Sequence, residues 1–238
     1  MPDSPAPTTK AGELAARIRE MILVEGLEPG DPLPSETELM AAHQLSRATV
    51  RETLRILDAE GFVKVRIGRT GGVVVAHPDP DRLGSWLAAQ LTLRAATVES
   101  LVEFRRLVEP IAAAVAAERA TPEELRRLRD VLESATAEEE LDFHLYIADA
   151  THNELLRLLL RAVHTGLQQH AVYRQGATER DAQAGRRQHR RIFEAISDRD
   201  SERAADLMRR HLEGVEKVVR RTGRAHEVLV PPEAWRTT

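Results

Sequence analysis

Glu140 and His144 stand four residues apart inside a helical pattern, which puts both side chains on one face of a helix. His189 and His211 flank the polar break Asp198-Arg199-Asp200, ten and twelve residues from Arg199. Two antiparallel helices joined there bring these histidines level, about 15–18 Å from the turn at 1.5 Å of rise per residue. Three imidazoles and one carboxylate converging in a helical core suit zinc, nickel or another divalent ion of similar preference. The plainer reading is that nine histidines are scattered along the chain, and an isolated histidine is usually not a ligand. His43, His77, His152, His164, His170 and His226 are read as surface or packing residues. Arg105 falls on the apolar stripe of Leu101, Val108, Ala112 and Val115, and a buried arginine needs a partner. Glu109, four residues on, is one choice; the carboxylate of a bound small molecule, gripped bidentately, is the other.

A second set of residues suits nucleic acid. Between Arg47 and Arg69 there are six basic residues against three acids, whereas Met1–Ser46 holds three against eight. Positive charge is thus focused in one short stretch, and a local field depends on where charges sit. Arg47 and Arg51 lie one turn apart, on a different face from Val50, Leu54 and Leu57. An arginine there is placed to grip a guanine edge through two hydrogen bonds. Ser46, Thr49 and the helix N-terminus suit phosphate, and Arg69 beside Gly68 suits the backbone or the minor groove. The plainer reading is a solvated, charged helix face. The stretch Gly68-Arg69-Thr70-Gly71-Gly72 lacks the lysine followed by Ser or Thr and opens no helix, so it is not a nucleotide phosphate loop.

The elements that must position these groups follow from spacing. Residues 1–9 read as a disordered arm. A helix carrying Leu14, Ile18 and Ile22 ends before the turn Glu28-Pro29-Gly30-Asp31. Ser35 with Glu38 forms a capping box for a second helix, which breaks around His43-Gln44-Leu45. Ser46 caps a third, ended by Gly61. Phe62–Ile67 and Val73–Val75 surround a glycine turn and predict a β-hairpin. Two short helices with a tight break and then a hairpin make a winged helix-turn-helix, whose second helix enters the major groove. The prolines of His77-Pro78-Asp79-Pro80 resist helix and sheet and mark a linker over 77–81. From Arg82 to about Arg221 the pattern is helical without a strand signal, with breaks at His152-Asn153, Gly176 and Asp198-Arg199-Asp200. Residues 223–238 read as a tail without a place in this scheme. The fold class is therefore mainly α: an N-terminal winged helix over 10–76 and an antiparallel helical bundle over 82–222.

Composition agrees. Of 238 residues 42% are hydrophobic, 30% charged and only 3% aromatic, which favours helices over a large sheet. The absence of cysteine excludes disulfides, thiolate nucleophiles and cysteine zinc fingers, and fits a reducing cytoplasm. No apolar run approaches the roughly 20 residues that span a bilayer, and the N-terminus lacks the regions of a signal peptide.

The stretches Leu27-Glu28-Pro29-Gly30-Asp31, Leu33-Pro34-Ser35-Glu36, Leu45–Leu54 and Glu60-Gly61-Phe62-Val63 resemble the winged helix of the GntR family of bacterial regulators. The resemblance implies that Arg47 and Arg51 read an operator and that the wing touches the minor groove. Thr37 stands where many FadR-like members have a DNA-contacting arginine; its hydroxyl, like that of Ser35, can bond phosphate. Glu103-Phe104-Arg105-Arg106 with Glu109-Pro110, then Phe143-His144 with Asn153, then His189 and His211, resemble the FCD ligand-binding domain of the FadR branch. That resemblance implies an effector pocket with Arg105 and Asn153, and often a metal held by Asp-x3-His and two later histidines. Here Glu140 takes the place of the aspartate, one methylene longer. Asp142, two residues before His144, points to another face. The expectation is a transcriptional regulator, not an enzyme: a homodimer on a palindromic operator, controlled by a small organic acid beside a divalent metal. The alternative, a metal-dependent enzyme with a DNA-binding appendage, lacks a general base in a motif such as His-Glu-x-x-His.

Overall fold

A computed structural model of the chain describes residues 9–66, 72–76, 80–134, 139–168 and 178–235. The chain divides into two compact units, Met1–Asp79 and Pro80–Thr238.

In the first unit, α1 (Lys10–Val24) starts where the Thr9 hydroxyl accepts from the Gly12 amide. It buries the stripe Leu14, Ile18 and Ile22 that its periodicity predicts. Ser35 and Glu38 close their capping box at the head of α2 (Glu36–His43), and Gln44 turns left-handed (φ 52°) to end it. Ser46 caps α3 (Arg47–Glu60), and Gly61 at φ 84° ends that helix, a conformation that favours glycine. Val50, Leu54 and Leu57 are buried against α1 and the hairpin. Thr53 Oγ1 donates to the Ala11 carbonyl (3.1 Å), which ties α3 to α1. Strands β1 (Val63–Arg66) and β2 (Gly72–Val75) pair antiparallel, Val63 opposite Val75. The turn between them, with Gly68 and Arg69, lies outside the described residues. The segment around Pro32 also joins this sheet: the Leu33 amide donates to the Val73 carbonyl and the Val75 amide to the Asp31 carbonyl. The sequence reading places a turn over Glu28–Asp31 and no sheet contact after it.

The second unit is helical: α4 (Pro80–Leu93), α5 (Val98–Arg119), α6 (Pro122–Ser134), α7 (Glu139–Asp149), α8 (Glu154–Gln168), α9 (Glu179–Ser197) and α10 (Ser201–Arg221). Helix α4 begins at Pro80, inside the expected linker. A first helical position has no internal N–H bond to lose, and proline presets its φ. Helix α5 packs on α7, α9 and α10, while α4 packs on α8. Ala112, Ala113, Ala116 and Ala117 let α5 approach its neighbours closely, against Phe143, Ile192, Ile196 and Met208. The break at Asp198–Asp200 has a structural task. Arg199, at φ 61°, donates to the carbonyls of Ala117 (3.1 Å) and Ala120 (2.6 Å) and so satisfies the end of α5. The expected break at Gly176 lies outside the described residues.

The tail finds a place that the sequence pattern did not show. The Val98 amide donates to the Glu227 carbonyl (3.0 Å) and the Leu229 amide to the Ala96 carbonyl (2.7 Å). Leu229 and Val230 are buried with Val98, Leu101 and Val219. A 3-10 turn over Pro232–Trp235 lets Trp235 Nε1 donate to Thr92 Oγ1. The tail thus closes the α4–α5 corner, which periodicity also missed.

Candidate functional site

The antiparallel pair α9–α10 brings His189 and His211 together, with their Nε2 atoms 3.1 Å apart. Helix α7 adds His144 from the other side. One ring nitrogen from each of the three lies within 4.8 Å of the other two, and all three residues are buried. Phe143 stacks on His189 at 4.6 Å. Two polar neighbours orient the rings. His211 Nδ1 donates to Gln188 Oε1 (3.0 Å), which leaves its Nε2 as the lone-pair nitrogen. His144 Nδ1 lies 2.7 Å from Glu109 Oε2, whose charge favours the proton on Nδ1.

Burial pushes the His144 imidazole down to about 4, and the Glu109 charge only partly opposes it. Burial likewise carries His189 and His211 well below the ordinary imidazole range, with other nearby positive groups adding to it. All three are therefore neutral near pH 7, the form in which imidazole ligates a metal. The residues present fit a divalent ion: three neutral imidazoles, buried, with second partners on two of them. Helix α7 also carries Glu140, whose side chain lies outside the described residues.

Arg105 meets Glu109, the internal partner considered from sequence. Nε donates to Oε1 at 2.6 Å and Nη2 to Oε2 at 3.3 Å, and both residues are buried. Burial works to raise the Glu109 pKa, but Arg105 and then His144 outweigh it and hold the carboxyl well below its usual range. Asn153 is exposed, and its Oδ1 accepts from the Leu155 and Leu156 amides at the head of α8, a helix-capping role.

His164 is where sequence reasoning went short. It is 1% exposed, with Nε2 3.7 Å from Glu109 Oε1. The signal was available: Leu156, Leu160 and His164 recur every four residues along the inner stripe of α8. Asp142, assigned from sequence to another face, acts on this imidazole by its charge.

In the first unit Arg47 and Arg51 are exposed on the opening turns of α3, away from the buried Val50 and Leu54. Arg51 Nε lies 3.7 Å from Glu36 Oε1, a loose surface pair. The Ser46 and Thr49 hydroxyls are 2.8 Å apart, and Ser46 also accepts from the Thr49 amide. Ser35 donates to Glu38, and Thr37 is exposed beside it on α2.

Residues 10–75 match the family model of bacterial regulatory proteins, gntR family, and residues 100–214 match the FCD domain. The HTH-type transcriptional regulator LutR of Bacillus subtilis is 32% identical over 206 residues, covering 81% of this chain and 93% of that protein. The chain belongs to the GntR family. The Uxu operon transcriptional regulator of Escherichia coli is 30% identical over 220 residues, covering 86% of this chain and 84% of its own. Among solved structures, Streptococcus agalactiae GntR superposes with a TM-score of 0.66 at 25% identity, over 87% of this chain and 99% of the other. This GntR-family chain is a transcriptional regulator with an N-terminal helix-turn-helix and a C-terminal FCD domain. Its relatives are regulators rather than enzymes, which answers the alternative of a metalloenzyme. Among the described residues no helix is long and apolar enough to cross a membrane.

Proposed function

We propose that this regulator holds one divalent metal in its helical domain and senses a small organic acid beside it. The observation that carries this reading is the convergence of the buried, neutral nitrogens of His144, His189 and His211. Zinc or nickel fits three imidazoles, with Glu140 as the fourth protein ligand from the preceding turn of α7. The ion would supply a Lewis-acidic position for the effector's carboxylate. Arg105 is the protein's own cation for the same ligand, now engaged by Glu109, and Asn153 enters this reading on the resemblance to FCD domains, its Oδ1 being held by the cap of α8.

On the DNA side, Arg47 and Arg51 reach base edges in the major groove, while Ser35, Thr37, Ser46 and Thr49 meet phosphates. Gly68 and Arg69 bring the wing to the backbone or minor groove. Two copies joined through the helical domain read a palindrome, because one winged helix covers too few base pairs for an operator. The site of action is the cytoplasm, where such DNA lies.

The test is elemental analysis of protein purified without chelator, followed by operator binding. The double variant His189→Ala, His211→Ala should lose the metal and the effector response yet still bind operator. If no stoichiometric metal is found, and neither zinc nor nickel shifts the melting temperature, the histidines are packing residues and the metal reading is wrong.

A further inference from the structure

The winged helix does not hold all of the exposed positive charge. Between Asp181 and Glu194, helix α9 carries Arg186, Arg187, Arg190 and Arg191 and no acid. Arg180, Arg187 and Arg191 recur at intervals of seven and four residues, so they share one stripe; Arg190 lies beside it and Glu194 closes it. Arg180, Arg187, Arg190 and Arg191 are exposed, turned away from the buried His189, Ile192 and Ile196. Among the described residues none of these four meets a carboxylate, whereas Arg186 pairs with Glu179 and the arginines of α8 and α10 are all ion-paired. Helix α6 adds another cation. The Arg129 guanidinium lies over the Phe193 ring, 5.8 Å from its centroid, and Phe193 follows Arg190 by three residues.

The fold itself does not offset this concentration. Arg187 and Arg191, like Arg186 and Arg190, are like charges four apart, an arrangement that destabilises a helix. The chain as a whole carries a net charge of −4, so the stripe is not a sample of a generally basic surface. The make-up of the face also selects its partner. Among the described residues of α9 no large apolar side chain is exposed, and Phe193 is half-buried. A protein interface has an apolar core, and a helix that lies on a membrane buries an apolar face. A duplex asks only for positive charge, since it presents one phosphate per about 1.7 Å of its axis. The stripe from Arg180 to Arg191 rises about 16 Å, which suits a run of phosphates better than a single small anion.

We infer that this face of α9 binds the phosphate backbone of double-stranded DNA, as a second DNA contact of the regulator, separate from α3 and the wing. Phosphate contacts position a protein without carrying sequence information. Helix α9 therefore adds affinity for any duplex and leaves the choice of operator to α3.

The experiment uses the full chain and a random-sequence duplex of about 40 base pairs, so that no operator has to be known. Binding is followed by fluorescence anisotropy over a series of salt concentrations. Each phosphate contact contributes about −0.9 to the slope of log K against log salt. The triple variant Arg187→Gln, Arg190→Gln, Arg191→Gln should make that slope shallower by about 2–3. Its melting temperature should not change, because the three side chains are exposed and glutamine is a good helix former. Arg187→Lys, Arg190→Lys, Arg191→Lys should keep the slope. The control Arg157→Gln, Arg209→Gln, Arg210→Gln removes the same charge from ion-paired arginines and should alter the slope by less than about 1. If the α9 triple variant does not fold, Arg190→Gln alone should lower the slope by about 0.9. A slope that the α9 variants leave unchanged, or that the control changes equally, would overturn the assignment. Loss of self-association in analytical ultracentrifugation with an unchanged slope would overturn it too, and would make the face a contact between copies of the chain.

Discussion

The reading helix and the histidine cluster solve opposite problems. On α3 the candidate DNA-contacting arginines Arg47 and Arg51 are exposed, Arg51 in a loose pair with Glu36, on a helix whose other face makes the core. In the helical domain the candidate groups are themselves part of the core: Arg105, Glu109, His144, His164, His189 and His211 are each 5% exposed or less. An exposed arginine keeps its hydration until DNA arrives, and its pairing with Glu36 is weak enough to exchange. A buried charge has no water to fall back on, so each member of the cluster depends on the others. Substitutions in the first region should therefore act on DNA affinity alone, whereas in the second they should also lower stability, most of all at the charged pair of Arg105 and Glu109.

The largest effect expected is at Glu109. Glu109→Gln keeps the shape but removes the carboxylate that the buried Arg105 guanidinium and His144 both face. It should lower stability by about 3–5 kcal/mol in chemical denaturation of the full chain. A loss under about 1 kcal/mol would mean that the pair is not sealed from solvent, and the contrast with α3 would weaken.

Acid should act on the same cluster. His144, His189 and His211 have folded pKa values below that of the unfolded chain, so the unfolded state binds more protons once pH drops under about 6.5. Their contribution is full above that pH and is lost as pH falls towards about 4, where His144 titrates. Glu109, also depressed, adds a loss at still lower pH. The chelator-treated protein should therefore unfold more readily at pH 5 than at pH 7, read from denaturation midpoints. A flat profile would contradict the burial of these rings.

Metal addition should oppose that loss. Zinc at one hundred times its dissociation constant stabilises by about 2.7 kcal/mol through mass action, seen as a rise in melting temperature. Smaller, and confined to binding, is Arg51→Ala: about 1–3 kcal/mol of discrimination between operator and scrambled DNA, with unchanged melting. Equal loss on both DNAs would make Arg51 a phosphate contact instead. Smallest of all is Glu36→Gln, which removes the loose partner of Arg51 and should change stability by less than about 0.5 kcal/mol.

The two regions also differ in how far they could be read in advance. The reading helix lies within one local run from Ser46 to Gly61, where a cap, a stripe and a stop signal sit within a few turns of one another. These short-range rules act before any tertiary contact, and the same holds for the capping box at Ser35 and the pairing of β1 with β2. His189 and His211 were also readable, because a single turn at Arg199 relates them. His144 needed the resemblance as well as its helical spacing.

The rest depended on contacts between distant segments. Only packing decided that Glu109 would answer Arg105 and lie against His144 at once. The same is true of the tail, where Leu229 and Val230 have apolar character but no period, and are held by backbone bonds to Ala96 and Val98. His164 shows the division within one residue. Its four-residue spacing after Leu160 assigns it to the inner face of α8, and that much is a property of the helix. Whether an inward imidazole meets a partner, a metal or nothing depends on what α5 and α7 present to it. Helical periodicity sets the direction of a side chain, but the fold sets the chemistry that it finds there.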